Sequence, residues 1–481
     1  MASLAAPPEF EHTYARSLPS LAASWAADIS SQPQLVIANP KLAIDLGIDA
    51  DWLASNEALH LFSGNGTTKD AERYALAYAG HQFGSYSPRL GDGRALLIGE
   101  FSDPKGQKWD LHLKGSGRTP FARGGDGKAT LGPMLREFLM GEAMAALGIP
   151  TTRALAVIST GELAMRERPL PGAILVRVAA SHLRVGTFQY AAALDSVDDL
   201  RALADYAIAR HYPELDSGSE RYLSLLTAVI ERQASLVAEW MLVGFIHGVM
   251  NTDNVTISGE TIDYGPCAFM DTVDPQTVFS SIDEGGRYAY GRQPAITQWN
   301  LARFAETLLP LIAADPEDAI APATEALEAF PETFSRHWHS GMNQRLGFST
   351  QVAGDDDLAN DLMALLQERR LDLISTMRSL ADQLRGRDIG LGEWATRWET
   401  RLQLEGVPNL ELIDRLKAAN PVYVPRNHLV EEALSPAVDG DLTPFEALLE
   451  RVTHPYEEVS GAERYARAGE PVPGYRTYCG T

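Results

Sequence analysis

Apolar and polar residues alternate along Lys108–Lys114, and a mostly apolar run over residues 95–101 precedes it. Asp103-Pro104-Lys105-Gly106 joins the two, and that turn chemistry predicts a β-hairpin. A helix is expected next: Gly132-Pro133 opens it, Gly148 closes it and Pro150 forbids its continuation. Leu135, Phe138, Leu139, Ala143, Ala146 and Leu147 mark its buried face. Strand patterns return over residues 154–158 and 173–178. The chain then turns helical. Leu226, Val229, Ile230, Leu236, Val237, Trp240 and Phe245 recur at helical spacing and predict a long buried helix over residues 225–247, ending at Gly248. Two very short strands are expected at 255–257 and 261–262, linked by Ser258-Gly259-Glu260.

Beyond about Gln298 the patterns are almost all helical, interrupted by acidic loops such as Gly354-Asp355-Asp356-Asp357. The stretch up to about Thr68 mixes turn formers with short helical patterns and holds no catalytic cluster. No internal repeat is present. A sheet-rich part with one helix, followed by a helical part, is an α+β layout with two lobes. The expected division is an N-terminal extension (1–80) packing on the lobes, a sheet-rich nucleotide-binding lobe (81–178), a helical catalytic lobe (179–290) and a helical C-terminal extension with a redox tail (291–481).

Composition narrows the function. Apolar residues are 45% of the chain, enough for a sizeable core. Acidic residues outnumber basic ones by 64 to 41, a formal charge of −23, and such a surface repels a phosphate backbone, so nucleic acid is not an expected partner. The first residues show no basic segment followed by an apolar run, and the stretch at 240–246 is too short to span a bilayer. With only two cysteines, the expectation is a cytoplasmic protein in a reducing compartment, without a membrane partner. One local feature opposes the global charge. Lys105, Lys108, Lys114, Arg118, Arg123, Lys128 and Arg136 form a basic, glycine-rich island, which points to a small anionic ligand or, alternatively, to a solvated basic loop.

Simple nucleotide motifs fail. Before Gly127-Lys128 a Walker loop needs glycine where Ala122 stands, and after it Ser or Thr where Ala129 stands; Gly115-Ser116-Gly117 meets Pro120 where a dinucleotide fingerprint needs glycine. No C-x-x-C or H-E-x-x-H occurs, which argues against a dedicated zinc site. A kinase-type set of parts succeeds instead. Lys114 ends a predicted strand, and Glu137 lies in the following helix, where it would orient the lysine. His247-Gly248-Val249-Met250-Asn251-Thr252-Asp253-Asn254 keeps the His and Asn spacing of a kinase catalytic loop, and Asp263-Tyr264-Gly265 parallels Asp-Phe-Gly. Val249 stands where the catalytic aspartate belongs and cannot accept a proton; Asp253 is the nearest substitute. On these motifs alone, an inactive kinase stays open beside an active enzyme.

Tyr78-Ala79-Gly80-His81-Gln82-Phe83-Gly84, Gly91-Asp92-Gly93-Arg94, Leu113-Lys114-Gly115-Ser116-Gly117-Arg118-Thr119-Pro120, and the segments ending at Asn254 and Pro266 resemble the selenoprotein O family. The resemblance runs over nearly the whole chain. It implies a protein-kinase-like fold that binds ATP in a flipped orientation and transfers AMP to Ser, Thr or Tyr of proteins. It further implies nucleotide contacts from Gly91, Gly93, Arg94, Lys114, Asp126, Gly127, Arg177, Arg184 and Asp263. Asn254 and Asp263 are the implied ligands of Mg²⁺ or Mn²⁺, and Asp253 is the group that accepts or orients the acceptor proton. UMP transfer from UTP, a conventional γ-phosphate kinase and a non-catalytic ATP-binding scaffold stay as alternatives. The resemblance also implies a redox pairing of Cys267 with Cys479, whereas the residues alone favour one buried core thiol and one exposed tail thiol.

Overall fold

The computed structural model describes residues 7–66, 72–215, 218, 220–470 and 474–478. Its strands run β1 (Ala22–Ser24), β2 (Gln34–Ala38), β3 (Tyr74–Leu76), β4 (Gly80–Gln82), β5 (Ser85–Ser87), β6 (Ala95–Ser102), β7 (Lys108–Lys114), β8 (Ala129–Thr130), β9 (Arg153–Met165) and β10 (Pro169–Ala179). All but the β4–β5 hairpin join one sheet, ordered β1-β3-β6-β7-β10-β9-β2 with β8 against β10. Every pairing in it is antiparallel.

The alternation in β7 explains how the sheet is covered. Successive side chains of a strand point to opposite faces. Leu111 and Leu113 enter an apolar layer with Ile158, Val176 and Val178, roofed by Leu42, Trp52 and Phe62. Those three come from the short helices α2 (Pro40–Asp45), α3 (Ala50–Leu53) and α4 (Asn56–Phe62), which follow α1 (Thr13–Ser17). Asp110, His112 and Lys114 therefore take the opposite face. There α5 (Leu131–Ala146) lays Met134, Leu135, Phe138 and Leu139 against Val157 and Leu175. The hairpin and α5 stand where the pattern puts them, although Ala146 and Leu147 are only half-buried.

Next come α6 (Val185–Ala192), α7 (Val197–His211) and α8 (Arg221–Leu242), then a two-stranded ribbon of β11 (Phe245–Ile246) and β12 (Ala268–Phe269). The remaining main helices are α9 (Gln293–Ile312), α10 (Pro316–Glu328), α11 (Phe330–Arg345), α12 (Asp355–Glu368), α13 (Leu373–Gln383), α14 (Glu393–Leu402), α15 (Asn409–Ala419), α16 (Asn427–Val438) and α17 (Thr443–Val452). One core gathers α6 to α9, a second α11 to α15, and α16 with α17 fold back onto α5 through Val430, Leu434, Phe445 and Leu448. The protein thus combines one antiparallel sheet with many helices. Among the described residues no helix is long and apolar enough to cross a membrane.

Four local expectations are corrected. The helix over 225–247 stops at Leu242, because Gly244 adopts a left-handed φ of +70° and Phe245 is taken up by the pairing with Phe269. The strands at 255–257 and 261–262 do not pair with each other. Thr256 bridges to Arg184 and Thr261 to Thr151, while the Thr256 hydroxyl donates to Glu260 O (2.7 Å) and accepts from Glu260 N (2.9 Å), which closes the turn. The run Asp355-Asp356-Asp357 is the first turn of α12 rather than a loop, where carboxylates suit the helix dipole. The N-terminal stretch contributes two strands, β1 and β2, beyond its short helices; the apolar run Leu35-Val36-Ile37 is β-branched at two of its three positions.

Candidate functional site

A cleft of about 1040 Å³ opens on the polar face of β7. Gly91, Gly93, Arg94, Lys114, Asp126, Gly127, Glu137, Arg177, Arg184, Asp253, Asn254 and Asp263 all line it, together with Val249. These positions lie on β7, α5 and β10, in the loops before β6 and before α5, just ahead of α6, and between β11 and β12, and the fold brings them to one place. Cys267 stays outside. It is fully buried, and burial pushes its thiol up to about 11. Cys479 lies outside the described residues.

The centre of the cleft is an ion cluster. Lys114 Nζ lies 2.6 Å from Glu137 Oε2 and 2.6 Å from Asp263 Oδ1. Arg177 reaches the same Asp263 oxygen at 2.7 Å, and Arg184 reaches the other at 2.9 Å. Burial alone would raise the Asp263 carboxyl, but Lys114, Arg177 and Arg184 hold it well below the usual carboxylate range. Asp263 also has a left-handed φ of 63°, a conformation that costs a non-glycine residue energy and occurs preferentially at functional positions. His247 helps to fix the backbone just before Asp263, with Nε2 2.9 Å from Ile262 O.

Asp253 sits differently. Its backbone carbonyl accepts from Arg184 Nη1 (2.9 Å), its Oδ1 is buried without a partner, and burial raises its carboxyl to about 6. A carboxylate in that range is suited to take a proton near neutral pH. Asn254 commits its amide nitrogen to Val249 O (2.8 Å), leaving Oδ1 as its donor atom. Asp253, Asn254 and Asp263 therefore offer hard oxygen donors, the chemistry that Mg²⁺ or Mn²⁺ takes. Among the described residues no group of three or more His, Cys, Asp or Glu is gathered for a metal. A cation here would complete its shell from phosphates and water.

The glycines have packing reasons. Gly91 has φ +68°, and a Cβ there would lie 2.3 Å from the Phe121 ring; at Gly127, with φ +72°, it would lie 2.2 Å from the Gly117 backbone. Both loops can close only without side chains. Asp126 does not present a free carboxylate to the cleft, since it pairs with Arg166 at 2.8 Å.

The basic island is not a cluster in space. Of its seven members only Lys114 and Arg123 line the cleft. Lys108 pairs with Glu11 at 2.7 Å, and Arg136 donates to Cys267 O at 2.7 Å. The other cleft cations are Arg94, Arg166, Arg177 and Arg184, drawn from four separate segments. Sequence reasoning also missed Asp92, Asp110, His112 and His182, which are buried directly behind Arg177. The signal was present in Asp110-Leu111-His112-Leu113-Lys114, which puts an acid, an imidazole and the cleft lysine on one strand face.

Residues 8–453 match the family described as "Protein adenylyltransferase SelO". The chain belongs to the SelO family. It is 55% identical over 478 residues to a protein of Mycolicibacterium smegmatis named "Protein nucleotidyltransferase YdiU", with 97% of each chain covered. Relatives of the same name from Geobacillus kaustophilus and Anoxybacillus flavithermus are 52% and 53% identical; each match covers 98% of this chain and 99% of the relative. Membership in SelO thus rests on almost the full length, which includes every cleft residue named above.

Proposed function

We propose that this protein is a nucleotidyltransferase that moves AMP from ATP onto Ser, Thr or Tyr hydroxyls of other proteins and releases pyrophosphate. The SelO match and the names of its relatives support the class of reaction. In this reading residues 81–178, which hold β5 to β10 and α5 and whose sheet is completed by β1, β2 and β3 of the N-terminal extension, and the helical part that follows (179–290) act as the two lobes of a protein-kinase-like fold. The Lys114–Glu137 pair across strand and helix supports that assignment.

The observation that carries the reading is the separation of charge within the cleft. Lys114, Arg177 and Arg184 converge on Asp263, while the carboxylate with a raised pKa, Asp253, stands apart from those ion pairs. An ATP reversed in the cleft would place its β- and γ-phosphates among the cations and its α-phosphate toward Asp253. The acceptor hydroxyl gives its proton to Asp253 as its oxygen bonds to the α-phosphorus. The bond from that phosphorus to the bridging oxygen breaks, and pyrophosphate leaves into the cationic end. Arg177 and Arg184 suit this task because a guanidinium is always charged and its N–H groups make charge-assisted hydrogen bonds to phosphate oxygen. Asn254 and Asp263 would hold Mg²⁺ or Mn²⁺, which supplies charge neutralisation at the phosphates. The protein's share of catalysis is positioning and electrostatics.

Incubating the protein and its Asp263→Ala variant with Mg²⁺ and ATP labelled at the α- or γ-phosphate tests this. Label transferred from the α-position only, and lost in the variant, is the expected result. Transfer from the γ-position would make the protein a conventional kinase. Binding of ATP without transfer of either label would make it a scaffold.

The tail adds a second proposal, the pairing of Cys267 with Cys479. Thr477 pairs with the segment at Ser280, and its hydroxyl donates to Pro266 O (2.6 Å), one residue from Cys267. Identical mobility of the parent and Cys479→Ser on non-reducing gels, after oxidation, would exclude that pairing.

A further inference from the structure

Arg177 is buried on β10, and only part of its guanidinium faces the cleft. Nη1 points to Asp263 (2.7 Å) and Glu137 (3.4 Å). The other two nitrogens are held from behind by two imidazoles: Nε lies 3.2 Å from His182 Nε2, and Nη2 lies 3.1 Å from His112 Nδ1. The β7–β10 register sets one of these contacts, because His112 and Arg177 are direct cross-strand partners. The two rings stack with centroids 4.1 Å apart.

The protonation of both rings follows from chemistry. Arginine nitrogens only donate, so the imidazole nitrogens facing them must carry lone pairs. The proton of each ring then sits on its other nitrogen, and in each case a carboxylate waits there. His112 Nε2 lies 2.9 Å from Asp92 Oδ2, and His182 Nδ1 lies 3.1 Å from Asp110 Oδ2. Each carboxylate fixes a tautomer, and each tautomer aims an acceptor at Arg177. Both rings are buried, and burial shifts both toward the neutral form this requires. The carboxylates are anchored in turn. Asp92 accepts from Leu76 N (3.1 Å), and Asp110 accepts from His182 N (2.9 Å) and Arg210 Nη2 (2.7 Å).

We propose that the pairs Asp92–His112 and Asp110–His182 form a two-sided clamp that orients Arg177 for the phosphate end of the nucleotide. His112 and His182 are thus positioning residues. A guanidinium left to rotate would turn its remaining nitrogens toward Asp263 and Glu137, which already hold Nη1. The clamp holds Nε and Nη2 fixed, so only Nη1 has to exchange a carboxylate for phosphate oxygen. Asp92 lies between Gly91 and Gly93, so the same web ties the glycine loop to the arginine. This inference rests on reading Arg177 as a phosphate contact.

The test uses the full-length protein and calorimetric binding of ATP, pyrophosphate and AMP. His182→Leu removes one acceptor; His182→Gln keeps an oxygen near the position of Nε2. His112→Leu and His112→Asn form the matching pair for Nδ1. The apolar variants should bind ATP and pyrophosphate about tenfold more weakly, the effect of one misaligned hydrogen bond to a charged group, while AMP binding is unchanged. The amide variants should recover part of that loss. In an Arg177→Leu background the histidine variants should add nothing further. An equal loss for ATP, pyrophosphate and AMP would mean that the histidines only support the fold and would overturn the clamp. Unchanged ATP affinity in the apolar variants would also overturn it, provided that Arg177→Leu itself weakens ATP. If Arg177→Leu leaves ATP and pyrophosphate binding intact, the phosphate reading of Arg177 fails instead, and the clamp with it.

Discussion

Arg426 and Arg177 are both buried, and their surroundings differ in the ratio of carboxylate to cation. Arg426, just before α16, faces two carboxylates of its own: Asp372 at 2.6 and 2.9 Å, and Asp271; it also donates to Ala466 O at 3.0 Å. Its charge is spent on tying the start of α16 to Asp271, just after β12, and to Asp372, at the start of α13. Arg177 shares Asp263 and Glu137 with Lys114 and Arg184, three cations to two carboxylates, beside an open cleft. A closed set in which anions match or exceed cations is structure. A set with surplus cations facing solvent is a site prepared for an anion.

Removing the shared carboxylate should produce the largest effect. Asp263→Asn is expected to lower turnover about a thousandfold or more, since it removes the proposed metal ligand at the point where charge is transferred. It also removes the anion that Lys114, Arg177 and Arg184 share, leaving Glu137 as the one carboxylate paired with two of them. Pyrophosphate should therefore bind this variant more tightly than the parent when no metal is present, which calorimetry would show. Turnover near the parental rate, or weaker pyrophosphate binding, would contradict the surplus-cation picture.

Arg426→Leu should do the reverse. Leaving Asp372 and Asp271 without their buried cation should cost about 3–5 kcal/mol of stability in denaturant titrations. ATP affinity of the folded protein should stay unchanged. If this variant weakens ATP as much as Arg177→Leu does, the two arginines are not different in kind. Asp253→Asn is a narrower test within the cleft. Its kcat should fall about a hundredfold, the scale of losing a general base, with ATP affinity altered by less than about twofold.

The same contrast explains what could be read from the chain. Lys114 and Glu137 were legible because a hairpin and a capped helix, both set by local punctuation, place them at fixed points. Asp263 and Asn254 were legible from their order along the chain. The clamp behind Arg177 was not, because it depends on register between β7 and β10 and on contacts between residues 65 apart in sequence, which no local pattern encodes. The basic island misled for a related reason. Closeness in sequence is not closeness in space along an extended strand: Lys114, at one end of β7, enters the cleft, while Lys108, at the other end of the same face, pairs with Glu11. The segment around residues 255–262 failed as a hairpin because each half pairs outward, one to Arg184 and one to Thr151. Those outward bridges hold Asp253 and Asp263 on either side of one turn, so the misread element is part of what builds the site.

The smallest expected effects concern the connection that carries His182 and Arg184. Two buried titratable groups pin its start. His211 Nε2 lies 2.7 Å from Ser181 Oγ, and Glu260 accepts from Ala180 N at 3.0 Å. Burial lowers His211 to about 3, with Arg210 and Arg232 adding to the shift and Asp110 opposing it. Burial raises Glu260 to about 7, aided by Asp110 and opposed by Ser258, Ala180 N and Arg210. The two should tilt stability in opposite directions. Below about pH 6.5 the unfolded chain protonates His211 and the folded protein does not, so this group costs about 1.4 kcal/mol for each further pH unit until about pH 3. Between about pH 4.5 and 7 the folded protein holds a proton on Glu260 that the unfolded chain has lost, so this group's cost grows as pH rises. Relative to the parent, His211→Gln should therefore gain stability as pH falls from 6.5 to 4.5, and Glu260→Gln should gain it as pH rises from 5 to 7. Denaturant titrations across that range would show two difference curves of opposite slope. Parallel curves would mean that these groups do not carry the shifts, and that the connection bearing Arg184 is held by its backbone bridges alone.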